Sequence, residues 1–304
     1  MATQPVEIDV RRENDNGSPT VPDRERLMRG IPVVERRLEL AGVSTAVLEG
    51  GQGPPIVLLH GPGEFAGKWV RVLPALLASH RVVAPDLPDH GASAAGGSPL
   101  DAERLLAWLD QLIEQCCPEP PTLVGHVLGG AIAARYAVAN GEKLDRLVLV
   151  DTLGLARFRP APRFAFTMVR FLRNPNERTY DRFMRQCSLD LDELREGMGE
   201  RWDPFASYNV DLARSPRAKA AGALMREVGL PRIPAADLAR ITVPTNLIWG
   251  REDRANRIAI AERASARYGW PLQTIDDCAD DPARDRPEAF VEALESAIAG
   301  TSAG

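Results

Sequence analysis

Thr122-Leu123-Val124-Gly125-His126-Val127-Leu128-Gly129-Gly130 is the stretch on which the fold turns. A short apolar run ends at Gly125, two more glycines follow at 129 and 130, and Ala131, Ala133, Ala134 and Ala137 then recur along the next segment. A run of this length bounded by glycine reads as a buried strand. The glycines let a strand and a helix approach closely. The order is therefore strand, sharp turn, helix. The residue at the turn is Val127, which carries no nucleophilic atom.

Working outward, the same alternation continues on both sides. Ile56–Leu59, Arg81–Asp86, Leu147–Val150, Val243–Trp249 and Pro271–Ile275 are short apolar runs of the kind buried on both faces of a sheet. Val33–Leu40 and Val43–Leu48, separated by Ala41-Gly42, read as a hairpin. Helical patterns lie between the runs, over Trp69–Ala78, where Pro74 marks a break or a first turn, and over Pro99–Cys116, 128–139, Ile258–Tyr268 and from Pro287 onward. In Pro99–Cys116, Leu105, Leu106, Trp108, Leu109, Leu112 and Ile113 form one apolar stripe. Strands alternating with helices predict an α/β fold with a mostly parallel eight-stranded sheet flanked by helices.

Between Asp151 and Arg240 the alternation stops, and helical patterns cover Phe164–Leu172, Glu177–Cys187, Leu189–Met198 and Ala218–Val228. We read 152–240 as a helical cap inserted into a core made of 31–151 and 241–300, with 1–30 as a flexible leader. The cap should lie over the carboxyl edge of the sheet, where open α/β sheets bind ligands. It carries 16 Lys and Arg against 11 Asp and Glu, while the chain as a whole has a net charge of −5. That asymmetry is compatible with a ligand that is anionic in part, and an arginine-rich solvated surface accounts for it more simply.

The 304 residues are 44% hydrophobic and 26% charged, the composition of a globular chain rather than a disordered one. The acidic balance gives no expectation of a nucleic-acid partner. No apolar run is long enough to span a membrane, and the amino terminus lacks the order of a signal peptide, so no membrane partner is expected. Cys116, Cys117, Cys187 and Cys278 fit neither a zinc spacing nor a disulfide framework. We expect reduced thiols in a cytoplasmic protein with no cofactor and no resident metal.

Five pieces in order resemble the α/β-hydrolase superfamily: His60-Gly61, Asp86-Leu-Pro-Asp-His-Gly91, Gly125-His-Val-Leu-Gly129, Trp249-Gly-Arg-Glu-Asp253, and Asp280-Asp-Pro with Pro287-Glu-Ala-Phe290. The resemblance covers roughly residues 33–299 and implies a nucleophile elbow at 125–129. It places the serine at 127, the acid at 253 and the histidine in the loop before Pro287. Position 253 keeps its Asp. Val127 and Asp280 stand where the nucleophile and the base would be. The resemblance also implies an oxyanion hole from the Leu128 N–H and a donor in the loop after His60-Gly61. That second donor aligns with Pro62, which has no N–H, leaving Gly63 or Glu64 as substitutes. His60, His90 and His126 fall at turn-shaping positions and His80 at the far end of the sheet, so all four are expected to be structural.

Asp253, Asp280 and Glu64 are thus expected to meet at the carboxyl edge, near Gly61, Pro62, Gly63, His126 and Leu128. Carboxylates held close share a proton and can serve as acid or base. Solvated loop-anchoring carboxylates and a divalent cation site are the competing readings. The expected function is non-hydrolytic or carboxylate-assisted chemistry on a mainly apolar small molecule. A ligand-binding pseudoenzyme and a hydrolase are the alternatives. Substrate and oligomeric state are not legible.

Overall fold

A computed structural model describes residues 21–96 and 100–300. The chain opens with helix α1 (Val21–Met28), then the hairpin β1 (Val33–Leu40) and β2 (Val43–Gly50), and β3 (Pro55–Leu59). A 3-10 segment, Ala66–Arg71, and the short helix α2 (Leu73–Leu76) lead to β4 (Arg81–Pro85). Then come α3 (Ala102–Cys116), β5 (Thr122–His126), α4 (Leu128–Asn140) and β6 (Arg146–Val150). Helices α5 (Pro162–Arg173), α6 (Glu177–Cys187), α7 (Leu191–Met198), α8 (Trp202–Arg214), α9 (Arg217–Leu224) and α10 (Ala235–Leu238) fill the interval before β7 (Thr245–Gly250). The chain closes with α11 (Ala259–Tyr268), β8 (Leu272–Ile275), α12 (Pro282–Asp285) and α13 (Pro287–Ala299).

The eight strands form one sheet in the order β1-β2-β4-β3-β5-β6-β7-β8. Only β1–β2 and β2–β4 pair antiparallel; every pairing from β4 through β3 to β8 is parallel. Successive strand residues point to opposite faces. Ile56, Leu58, Val124, Val148 and Val150 therefore enter one core, with Trp69, Phe290 and the helices of the 162–214 segment. Val57, Leu59, Leu123, Leu147 and Leu149 enter the other, with Trp108, Ile132 and Ala261. Both faces are covered, which is why the parallel strands read as unbroken apolar runs.

Two expectations need correction. The leader is not flexible throughout. Over Val21–Met28 it is a helix with Leu27 fully buried, and the Arg24 guanidinium meets Asp86 at 2.9 Å and Glu35 at 2.6 Å. Asp86 also accepts from the Ala66 and Ala92 amides, both at 2.7 Å, so α1 is tied to the body by a buried ion pair. Residues 1–20 lie outside the described residues. Helix α3 begins at Ala102, where the Asp101 side chain accepts from the Arg104 amide, rather than at Pro99, which is not among the described residues. Over 69–78 the 3-10 segment ends at Arg71 and Pro74 falls in the first turn of α2, one of the two places expected for it.

Candidate active site

The strand-to-helix turn keeps its strained geometry. Val127 sits at φ 48°, ψ −100°, between β5 and α4. A β-branched side chain at positive φ costs about 1–3 kcal/mol, so neighbouring contacts must hold it there. The Val127 amide donates to the Val150 carbonyl at 3.0 Å, and its carbonyl accepts from Leu153 at 3.1 Å and Ala131 at 3.2 Å. A Cβ on Gly125 would come within 2.4 Å of the Gly129 carbonyl oxygen, and one on Gly129 within 2.3 Å of the Leu59 oxygen. The spacing of those glycines is thus a packing requirement. The Val127 side chain lies among Ala131 and Leu153, with Phe158 and Met225 packed against them. The Leu128 N–H opens α4, at a position with no intrahelical acceptor.

His126, one residue earlier, leads into a buried network of charges. Its Nε2 lies 2.7 Å from the Asp280 carbonyl oxygen, so Nε2 carries the hydrogen. Its Nδ1 lies 2.6 Å from Lys68 Nζ and accepts from the ammonium. Glu64 Oε2 stands 3.6 Å from the same Nδ1. Lys68 Nζ also lies 3.1 Å from Asp281 Oδ1 and 4.0 Å from Glu64 Oε2, and 4.3 Å from the Trp69 ring centre. Arg284 completes the network, at 3.1 Å from Asp281, 3.6 Å from Glu64, 3.8 Å from Asp285 and 4.0 Å from Asp280. Donor atoms of Glu64, His126 and Asp281 lie within 4.8 Å of one another, a spacing that suits a metal ion, but the Lys68 ammonium sits among them as the cation.

Charge sorts these carboxyls into two groups. Burial disfavours ionisation of Glu64 and Asp281, yet Lys68, and behind it Arg284, outweighs burial and holds both below the usual carboxylate range. Two anions then balance two cations. The remaining carboxyls have too little positive charge to ionise freely. Burial, then the charge of Asp253, raises Asp280 well above its ordinary value. Burial pushes Asp253 up to about 7 against the pull of two amide hydrogen bonds. Those bonds come from Ala255 at 2.6 Å and Asn256 at 2.8 Å, both to Oδ1. Burial likewise pushes Asp285 up to about 6.

Asp151 belongs to this group and was not among the sequence candidates. It follows β6 directly at φ 42°, is fully buried, and accepts from the Gly250 amide at 3.0 Å. Burial and the charge of Asp253 raise it well above the usual range. The oxygens Asp151 Oδ2 and Asp253 Oδ2 are both buried without a hydrogen-bond partner, an arrangement suited to carboxyls that keep a proton. Its signal in the sequence was its place at the carboxyl end of a parallel strand, where sites in such sheets collect.

Asp253 lies near enough to Asp280 for its charge to act on that carboxyl, while Glu64 connects to Asp280 through Arg284, at 3.6 and 4.0 Å, and through His126, whose ring stands 3.6 Å from Glu64 and 2.7 Å from the Asp280 carbonyl. Glu64 is an ion-pair partner rather than a proton carrier: the Lys68 ammonium keeps it ionised, and its Oε2 accepts from the Gly61 amide at 2.9 Å. That bond also occupies the Gly61 N–H. Pro62 is half-buried in the same loop, and Gly63, at φ 70°, is exposed. The other histidines are structural. Burial takes His60 down to about 3, where its Nε2 accepts from the Leu87 amide at 2.9 Å. His90 Nδ1 donates to the Pro88 carbonyl at 3.0 Å. Burial pushes the Cys187 and Cys278 thiols up, which keeps them from acting as thiolates. A cavity of about 240 Å³ flanks the network at Asp285, lined also by Arg71, Ser188, Asp190, Glu193 and Arg286, and does not include Val127, Asp253 or Asp280.

Comparison with known proteins agrees with this architecture. A family model described as "Alpha/beta hydrolase family" matches residues 56–293. The pimeloyl-[acyl-carrier protein] methyl ester esterase of Aeromonas hydrophila subsp. hydrophila is 28% identical over 263 residues, which are 83% of this chain and 98% of the esterase. The 2-hydroxy-6-oxo-6-(2'-aminophenyl)hexa-2,4-dienoic acid hydrolase of Metapseudomonas resinovorans is 27% identical over 230 residues, 73% of this chain and 75% of the hydrolase. Among solved structures, the 2-hydroxy-6-oxo-6-phenylhexa-2,4-dienoate hydrolase of Rhodococcus sp. strain RHA1 superposes with a TM-score of 0.77 at 23% identity, covering 88% of this chain and 99% of its own. With the eight-stranded sheet, the strained turn after β5 and a match that runs from β3 into α13, the chain belongs to the alpha/beta hydrolase family.

Proposed function

We propose that this protein has left the serine–histidine route of its family and moves protons on a small carbonyl compound with Asp280 and Asp253. Val127 stands at the nucleophile position and Asp280 at that of the histidine, so the usual triad is reduced to Asp253. The helices of 152–240 act as the cap in this reading. The observation that carries it is that Asp280 and Asp253 are both held toward the neutral acid by burial, Asp280 also by the charge of Asp253, with the Asp280 carbonyl 2.7 Å from His126 beside a turn that has kept its shape. A carboxylic acid that keeps its proton near neutral pH is suited to general acid chemistry.

The side chain of Asp280 is 13% exposed, whereas Asp253 is buried. Asp280 is therefore the group that meets a substrate. Its O–H gives a proton to the carbon of an enol, the enol oxygen releases its own proton to the carboxylate left behind, and the acid is restored. No proton is consumed, and no covalent intermediate forms. Asp253, held by the Ala255 and Asn256 amides, sustains the neutral form of Asp280. The relatives named as hydrolases of hydroxy-oxo-dienoates act on enol-bearing oxo acids, which supports that substrate class.

The test is solvent exchange. In D2O, the protein should accelerate loss of the C3 proton signals of 2-oxopentanoate by NMR, and Asp280→Asn should abolish the acceleration. Unchanged exchange by an Asp253→Asn/Asp280→Asn double variant would sink the proposal. A fluorophosphonate probe should leave the intact mass unaltered; an adduct on any residue would restore the hydrolase reading.

A second reading rests on the closure of Phe158 and Met225 over Val127. It makes the chain a ligand-binding protein without turnover. It predicts saturable thermal stabilisation by a compound that is recovered unchanged.

A further inference from the structure

Helix α5 is apolar on two sides. Its inner face is pinned to α6: Phe164 and Phe171 lie 5.4 and 5.9 Å from the Phe183 ring, and Phe171 lies 5.4 Å from Tyr180. Its outer face carries Phe166, Val169 and Leu172, which are 65%, 41% and 60% exposed. They are three of the five large hydrophobics so exposed among the described residues, and they recur every three positions along one stripe. Isolated exposed apolar residues need no explanation; a row of them on one helix does.

Arginine surrounds the stripe. Arg163, Arg170 and Arg173 on α5 and Arg178 and Arg182 on α6 are exposed, and none forms an ion pair with a described residue. From 157 to 185 the sequence holds eight arginines against Glu177 and Asp181. Asp181 is already engaged by Arg185 at 3.3 Å and Arg195 at 2.5 Å. The basic excess of the 152–240 segment is thus gathered on one hairpin of a chain whose net charge is −5.

We propose that the outer face of α5, flanked by α6, docks this protein on an anionic phospholipid surface. A helix with Phe and Leu on one strip and arginine beside it lies in the plane of the headgroups, with the apolar strip at the acyl boundary. Guanidinium groups pair with phosphate oxygens, and the acidic remainder of the molecule turns away from the surface. Neither cavity described in the molecule includes Phe166, Val169 or Leu172, so these residues protrude rather than frame a groove for a shaped partner. No helix among the described residues is long and apolar enough to cross a membrane, and peripheral docking requires none. This departs from the expectation of no membrane partner, because the pattern of α5 alone does not say which of its apolar residues face outward.

The test is flotation of the full chain with vesicles of equimolar phosphatidylcholine and phosphatidylglycerol, beside vesicles of phosphatidylcholine alone. Binding is expected to the anionic vesicles only and should weaken with added salt. Arg163→Gln/Arg170→Gln/Arg173→Gln should lower the partition by about 100-fold, since each arginine near such a surface contributes about fivefold. Phe166→Ser/Leu172→Ser should lower it by about tenfold or more. Both variants alter exposed residues, and an unchanged circular dichroism melt confirms that they fold. No flotation with anionic vesicles would overturn the proposal, as would full retention by the triple arginine variant. So would competition by poly-L-glutamate together with unimpaired vesicle binding of Phe166→Ser/Leu172→Ser. That pair of results would mark a site for acidic polypeptide instead.

Discussion

Lys68→Met isolates the role of the buried ammonium. The methionine side chain fills nearly the same volume, so the substitution removes charge without opening a large cavity. In the native protein Lys68 is 1% exposed and holds Asp281 at 3.1 Å, His126 at 2.6 Å and Glu64 at 4.0 Å. Removing one partner from a buried ion pair costs about 3–5 kcal/mol, chiefly because the remaining charges are left without compensation. Arg284 still reaches Asp281 at 3.1 Å and Glu64 at 3.6 Å, so the lower end, about 3 kcal/mol, is expected at pH 7. The pH dependence distinguishes charge from packing. In the native protein Glu64 and Asp281 ionise more readily than in the unfolded chain, so their stabilisation is present above the unfolded value and lost as pH falls through the folded one. Without Lys68 the pull on both carboxyls is weaker, so less of that stabilisation remains above the unfolded value. The gap between variant and native stability should therefore shrink toward pH 4. Urea unfolding at a series of pH values reads it directly. A cost under about 1 kcal/mol at pH 7, or a cost that does not change with pH, would refute the assignment of Lys68 as the cation of this network.

Two further substitutions probe the carboxyl group. Asp151, Asp253 and Asp280 bind protons more tightly folded than unfolded, so each makes the native state less stable as pH rises from the unfolded carboxylate value, about 4, toward 7. Asp151→Asn can still accept from Gly250 and should flatten that decline in urea unfolding; an unchanged slope would remove Asp151 from that group. Val127→Ser with Asp280→His should restore measurable hydrolysis of p-nitrophenyl butyrate, because the turn has kept the backbone geometry that presents position 127. The rate should remain low, since Pro62 lacks an N–H and one absent oxyanion donor costs about 3 kcal/mol. Complete inactivity in a folded double variant would mean that position 127 is not presented to a substrate.

Much of this was legible in the sequence, for definite reasons. Strands buried on both faces leave unbroken apolar runs, so β3 to β7 could be located from Ile56–Leu59, Arg81–Asp86, Leu123–Val124, Leu147–Val150 and Val243–Trp249. The glycines at 125, 129 and 130 marked the turn because any Cβ there would collide with backbone or with Thr152. Helix α8 was missed even though Trp202, Phe205, Tyr208 and Leu212 recur at helical spacing, because Pro204 reads as a break; it sits in the first turn, where proline is tolerated. The ion network was half visible. Glu64 and Lys68 stand four apart, as do Asp280 and Arg284, but such spacings usually mark a solvated helix face. What the sequence does not show is that both pairs are buried against one another across more than 200 residues, which only the packing of the Ala66–Arg71 turn against α12 brings about. Asp151 has no partner nearby in sequence at all, since Gly250 and Asp253 come from the next strand of the sheet.

The proposed proton transfer requires Asp280 to keep its proton where ordinary carboxylates have lost theirs. Carbon-13 NMR of protein labelled at the aspartate carboxyls, with Asp280→Asn and Asp253→Asn spectra for assignment, follows each group through its titration. Asp253 should titrate at about 7 and Asp280 well above the ordinary aspartate range. An Asp280 resonance that titrates with the exposed aspartates, at about 4, would contradict the proposed chemistry.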